Sequence, residues 1–258
     1  MPPRGEGITL DVDSGPGRQG PVLVYLPGLH GDGTLISSFH QVVRDEVRFV
    51  GVRYPQSAKA GLADYARGIG DTLARAGIDR GWLLGESFGS QVGWALLEAG
   101  WPAQGFILAG GFVRHPWNLG VHLARLVCGH TPGPLLRAAF WLYPRYARFR
   151  HRRAPETRAA VAEFVRHRLA PGDREAMTHR LRLIAAADFR PVARQAVVPV
   201  WSVTGFWDPL VPWPQVHHWL RRHCRTFQGA RVLPWADHNV LATQPEAAAR
   251  IIRRWLAC

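Results

Sequence analysis

The chain has 258 residues, 47% hydrophobic and 20% charged, which is enough for one large core and too apolar for a disordered chain. Its 32 Lys+Arg against 19 Asp+Glu give a formal net charge of +13, carried almost entirely by arginine because Lys59 is the sole lysine. Met1 to Asp11 lacks the apolar core of a signal peptide, and no apolar stretch approaches the ~20 residues needed to cross a bilayer. Cys128, Cys224 and Cys258 are odd in number, far apart and in no Cys-x-x-Cys pattern. That argues against a structural zinc site or a disulfide framework, and the expectation is a cytoplasmic protein with reduced thiols.

Residues 1–20 are polar and glycine-rich, with Ile8 to Val12 as an edge strand. Val22-Leu23-Val24-Tyr25-Leu26 is an apolar run of strand length and reads as a buried strand ending at Pro27-Gly28. The loop from Pro27 to Thr34 would need Gly-Lys-Ser/Thr at its end to cradle a phosphate, and it holds no lysine. Its other reading is a loop whose backbone N–H groups point at a reacting oxygen. Arg48 to Tyr54 is a second strand closed by Pro55. Leu62, Tyr65, Ile69 and Leu73 then fall on one face of a helix that Gly77 stops.

Gly81 to Gly85 reads as a third strand, and Phe88 to Ala99 as the helix after it. Between them stands Gly85-Glu86-Ser87-Phe88-Gly89, the Gly-x-Ser-x-Gly pattern in a strand-turn-helix setting. A serine at the tip of so tight a turn needs flanking residues without side chains, and it presents its hydroxyl above the sheet. Glu86, at the variable position of this turn, is expected to point into the sheet or towards a buried partner, with a direct catalytic role as the alternative. Phe106 to Gly111 is the fourth strand. Strands alternating with helices predict an α/β fold with parallel βαβ units and a sheet covered on both faces.

Residues 113–190 interrupt this rhythm with several helical patterns, no convincing strand and repeated proline. They read as an inserted cap of four helices, which leaves 1–112 and 191–258 as the α/β core. This insertion holds 15 arginines against 5 acidic residues, densest in Phe140 to Arg153, where arginine interleaves with aromatics. Three readings stay open for it: a solvated basic face over an aromatic core, a site for an anionic substrate or acidic carrier protein, and attachment to an anionic membrane surface. No nucleic-acid-binding motif accompanies it. Trp117, Trp141, Trp207 and Trp213 fit an apolar pocket, or simply core.

Val197 to Gly205 is the next strand, Pro214 to Arg222 a helix, and Arg231 to Trp235 the last strand. Thr243 and Glu246 stand at capping-box spacing and open a closing helix to Leu256. His217, His218 and His223 have no carboxylate or cysteine at ligand spacing and read as the polar face of a helix, not a metal site.

A serine hydroxyl is a weak nucleophile and needs a base within hydrogen-bond reach, itself oriented by a carboxylate. The two loops after the last strands supply Asp208 and His238, in the chain order Ser87, Asp208, His238. Asp237 adjoins His238 and cannot easily orient its neighbour's ring, so it reads as loop-capping. His30 reads as a structural hydrogen-bonding group or a substrate contact.

Four pieces together carry a resemblance: Leu26-Pro27-Gly28-Leu29-His30-Gly31, Gly85 to Gly89, Gly205 to Pro212, and Asp237 to Leu241. The chain resembles the α/β-hydrolase-fold serine hydrolases of carboxylesterase type that carry an inserted helical cap. Two departures are Pro-Gly where many relatives have His-Gly, and Asp237 where glycine is frequent. The resemblance implies Ser87 as nucleophile, His238 as general base and then acid, Asp208 as orienting carboxylate, and an oxyanion hole from the N–H groups of Phe88 and Leu29. It also implies a small acyl ester as substrate, with no metal or organic cofactor needed. Acyl transfer to an acceptor other than water, peracid formation, and a non-catalytic binding protein acting through the basic cap are the alternatives.

Overall fold

The structure is a computed structural model and describes residues 7–13, 16–56, 58–131 and 171–257. Seven strands form one sheet: β1 (Thr9–Val12), β2 (Val22–Leu26), β3 (Arg48–Arg53), β4 (Gly81–Glu86), β5 (Ala103–Ala109), β6 (Val200–Gly205) and β7 (Phe227–Leu233). Their order is β1-β3-β2-β4-β5-β6-β7. Only β1 is antiparallel, pairing with β3 from Thr9 opposite Arg53 to Val12 opposite Val50. The other pairings are parallel, so the C-terminal ends of six strands open on one edge.

Successive side chains of a strand point to opposite faces, and the central strands are mostly apolar on both because both faces are covered. Val24, Leu26, Leu83, Phe106 and Leu108 face one core, which α2 (Leu62–Arg75) joins through Tyr65, Ile69 and Leu73. The helix α3 (Phe88–Glu98) adds Phe88, Val92 and Trp94 to the same side. Leu23, Tyr25, Leu84, Ile107 and Val203 face the other core, together with Phe39 of α1 (Ser37–Val43).

Within 113–190 the described residues hold α4 (Asn118–His130), α5 (Pro171–Ala186) and the start of α6 (Arg190–Gln195), with no strand among them. α4 and α5 pack against each other. Arg174 Nε donates to the Cys128 carbonyl at 2.7 Å, and Asn118 donates to the Ala185 carbonyl at 3.2 Å. Residues 132–170 lie outside the described residues, and with them the arginine-aromatic run 140–153, Trp141 and the rest of the four expected helices. No described helix is long and apolar enough to cross a membrane.

After β6 come α7 (Trp213–His223), β7, α8 (Val240–Thr243) and α9 (Pro245–Leu256). Three expectations are corrected here. β7 begins at Phe227, earlier than the apolar run from Arg231, because sheet pairing recruits Phe227 to Ala230 despite Gly229. Thr243 does not cap the closing helix. It ends α8 with its hydroxyl turned back to the Asn239 carbonyl at 3.0 Å, and α9 has Gln244 at its N-cap without a side-chain bond. His217 does not lie on a polar face. It is buried beneath β6 with Nε2 3.1 Å from the Ser202 hydroxyl.

Burial, reinforced by the nearby Arg221, lowers the His217 pKa from 6.5 to about 4. The folded imidazole therefore stays neutral while its unfolded counterpart takes up a proton below pH 6.5. Stability is lost as pH falls from 6.5 towards 4, by about 1.4 kcal/mol for each pH unit that the group spans. The measurement is a pH series of thermal melts on the wild type and His217→Gln, with the wild type losing more stability across that window.

Candidate active site

The turn between β4 and α3 sets the geometry of the site. Ser87 has φ 51° and ψ −115°, the one non-glycine positive φ among the described residues. Such a conformation costs about 1–3 kcal/mol and persists only where the surroundings over-determine it. Its N–H donates to the Ala109 carbonyl of β5 at 3.1 Å. Its carbonyl accepts from the Ser90 N–H at 2.9 Å and from the Ser90 hydroxyl at 2.6 Å. The Phe112 N–H in turn donates to that hydroxyl at 3.0 Å, which fixes the loop after β5 to the turn. Gly85 and Gly89 are close-approach positions. A Cβ on Gly89 would sit 2.0 Å from the Leu26 carbonyl oxygen, and one on Gly85 would sit 2.9 Å from the Gly89 oxygen.

The loops after β6 and β7 bring two partners to this serine. His238 Nε2 is 2.8 Å from Ser87 Oγ, and His238 Nδ1 is 2.8 Å from Asp208 Oδ2. The Asp208 side chain is fully buried, and its other oxygen accepts the N–H groups of Leu210 and Val211, both at 2.9 Å. With both oxygens of the carboxylate engaged, its direction is fixed. Nδ1–H then points at the carboxylate, and Nε2 is left to accept from the serine. The three residues singled out in the sequence thus form one hydrogen-bonded chain.

The backbone N–H of Phe88 lies at the first position of α3, where helical N–H groups have no partner within the helix. Leu29 lies on the loop after β2, which closes with the Gly31 N–H donating to the Gly28 carbonyl at 3.0 Å. Both Leu29 and His30 border the same cavity as Ser87 and His238. That cavity encloses about 300 Å³ between the strand ends and the helices α4 and α5. Its wall includes Trp117, Val121, Met177, Leu181 and Ile184, with no arginine or lysine among the described lining residues.

The remaining candidates sort by their contacts. Glu86 is buried and accepts from the Tyr25 hydroxyl at 2.5 Å, in the sheet direction expected for it. Asp237 accepts the Asn239 N–H at 3.0 Å and so caps its own loop. Of the tryptophans, Trp117 borders the cavity, Trp207 is exposed, and Trp213 donates to the Phe206 carbonyl at 3.3 Å. Among the described residues no group of three His, Cys, Asp or Glu could hold a metal ion.

Sequence reading missed His115. It is buried on the cavity wall, with Nδ1 accepting the Trp117 N–H at 3.2 Å and its ring edge-on to Phe112 at 4.9 Å. Burial lowers its pKa to about 4, an effect to which His238 adds. It stands in the first residues of the stretch 113–190, where nothing in the local pattern distinguishes it from a solvated loop histidine. The apolar wall from α5 was equally hidden, because its residues meet the site only through tertiary packing.

No family model matches the chain, and no curated protein matches it in sequence. Solved structures do match. A thermophilic esterase from Thermogutta terrifontis aligns at 20% identity over 97% of this chain and 93% of its own, with TM-score 0.73. An α/β-hydrolase enzyme from a Medee basin deep-sea metagenome library aligns at 13% identity over 97% and 94%, with TM-score 0.77. The enol-lactonase from Burkholderia xenovorans LB400 aligns at 18% identity over 99% and 100%, with TM-score 0.73. The chain has the α/β-hydrolase fold, and at these identities the fold is what the likeness establishes.

Replacing Tyr25 with Phe leaves a buried Glu86 carboxyl oxygen without its donor. A loss of about 1–3 kcal/mol in urea unfolding is the expected result, since an unsatisfied buried acceptor carries a cost of that order.

Proposed function

We propose that the protein is a serine hydrolase cleaving carboxylic esters through an acyl-enzyme. The observation that carries this reading is the unbroken chain Ser87 Oγ, His238 Nε2, His238 Nδ1, Asp208 Oδ2, each link at 2.8 Å, built on a strained strand-to-helix turn. That solved structures of the same fold are described as esterases supports it. On this reading His238 takes the Ser87 proton as Oγ attacks the ester carbonyl, and Asp208 stabilises the imidazolium. The N–H groups of Leu29 and Phe88 receive the oxyanion. The tetrahedral adduct collapses, and the alcohol leaves with the proton from Nε2. Water, deprotonated by His238, then attacks the acyl-enzyme and restores Ser87. No bound metal or organic cofactor takes part in these steps.

On the same reading, the insertion 113–190 acts as a cap whose helices α4 and α5 wall the acyl site. The wall is apolar and, among the described residues, lacks a cation, which supports an uncharged acyl chain. The unpaired thiols of Cys128 and Cys224 go with the cytoplasmic location expected from the sequence.

Two measurements test this reading. Ser87→Ala and His238→Gln should each lower p-nitrophenyl ester turnover by ~10³-fold or more, since members of such a triad act as a unit. Turnover that survives Ser87→Ala contradicts the mechanism. In the second, a neutral hexanoate ester should exceed the monoester of a six-carbon dicarboxylate in kcat/KM by ~10-fold or more, because an apolar wall leaves the second carboxylate unpaired. Equal rates would place the anion on a cationic partner and return the arginine-rich insertion to the centre of the question.

A further inference from the structure

Arg180 of α5 is fully enclosed, with no exposed surface. Among the described residues no carboxylate forms an ion pair with it. Its guanidinium is met instead by neutral acceptors from three core elements. Nη1 donates to the Leu29 carbonyl at 2.6 Å, Nη2 to the Pro55 carbonyl at 2.9 Å, and Nε to the Tyr65 hydroxyl at 3.4 Å. It also lies over the Tyr54 ring, 5.4 Å from the centroid. Burying a guanidinium is costly, and the two carbonyls, the hydroxyl and the Tyr54 ring are what offset that cost here.

Its neighbours are the two backbone segments at the Ser87 hydroxyl. On one side it grips the carbonyl of Leu29 directly. On the other, Tyr54 and Tyr65 form an edge-on aromatic cluster with Phe88, the three centroids 5.0–5.8 Å apart. The loop is shaped to admit it. Gly31 has φ +82°, and a Cβ there would sit 2.7 Å from Arg180 Nη1. The Gly31 carbonyl also accepts the Tyr54 N–H at 2.8 Å, tying the two loops under the guanidinium.

We propose that Arg180 is a positioning residue for the oxyanion pocket: its planar fork holds Leu29 by its carbonyl, one residue's length from the Leu29 N–H, and steadies the aromatic cluster under Phe88, so that both N–H groups face one point. The proposal rests on the serine-hydrolase reading given above. An ammonium cannot replace the fork, because it cannot hold two carbonyls in one plane. The residue sits on the insertion, so the seating of α5 and the alignment of the oxyanion pocket are one event.

The test uses R180A and R180K in the full-length chain, with ester kinetics, thermal melts and the affinity for an aryl boronic acid. The boronate adduct on Ser87 places an oxygen where the oxyanion would form. R180A should lose ~10²-fold in kcat, the scale of one oxyanion donor, with KM within ~3-fold of the wild type. Boronate affinity should fall in parallel. Millimolar guanidinium should restore part of the R180A turnover and leave the wild type unchanged, and R180K should stay slow while folded. If R180A does not fold, R180K carries the same comparison, since it keeps the charge and the aliphatic stem. Folded variants with wild-type kcat and boronate affinity overturn the proposal. So does a loss of turnover that merely follows the folded fraction in the melts. A wild type without Ser87-dependent turnover overturns the serine-hydrolase reading and this proposal with it, whereas normal turnover in wild type and variants overturns this proposal alone.

Discussion

The backbone conformation of Ser87 is the constraint on which the rest of the structure depends. A non-glycine residue at φ 51° is unstable by itself and has to be held from several sides. The sheet holds it through the Ala109 carbonyl, α3 through Ser90, and the loop after β5 through Phe112. Gly85 and Gly89 leave room for the strand, the helix and the loop after β2 to approach one another. Because the turn is clamped in this way, the hydroxyl has one direction, and the loops after β6 and β7 need only bring Asp208 and His238 to it.

Those three residues were legible in the sequence because each sits in a short loop directly after an apolar strand, and in parallel α/β sheets such loops share one edge. Their chain order and the glycines around Ser87 added the rest. Asp237 was legible too, being decided by its own loop, and Glu86 by its place at the variable position of the turn. What escaped was set by the folded arrangement of segments distant in sequence. His115 shares a cavity with Ser87 and His238 only once the chain is folded, and Arg180 meets carbonyls 125 and 151 residues away. The capping role expected of Thr243 failed for a related reason: its spacing to Glu246 was right, but a preceding helical turn claimed its hydroxyl. His217 looked like one of several surface histidines, and only the packing of α7 on β6 buries it.

Charge behaves in two ways in this chain. The net charge of +13 and the arginine density of 113–190 invite a reading in terms of anionic partners. The described part of that stretch divides its arginines differently. Arg174 binds a neighbouring helix carbonyl, and Arg190 pairs with Asp188. Arg180 is withdrawn from solvent altogether, while the cavity next to Ser87 is walled by apolar side chains. Part of the basicity therefore works inside the fold as hydrogen-bonding capacity and is not offered to a partner.

The central claim is an activated serine at position 87, and the most direct measurement is covalent. The purified protein and its Ser87→Ala variant are exposed to a fluorophosphonate, and the adduct is located by peptide mass spectrometry. The account predicts a single phosphonylated residue, Ser87, with no adduct in the variant. A folded wild type that stays unlabelled, or labelling that persists in the variant, would contradict it.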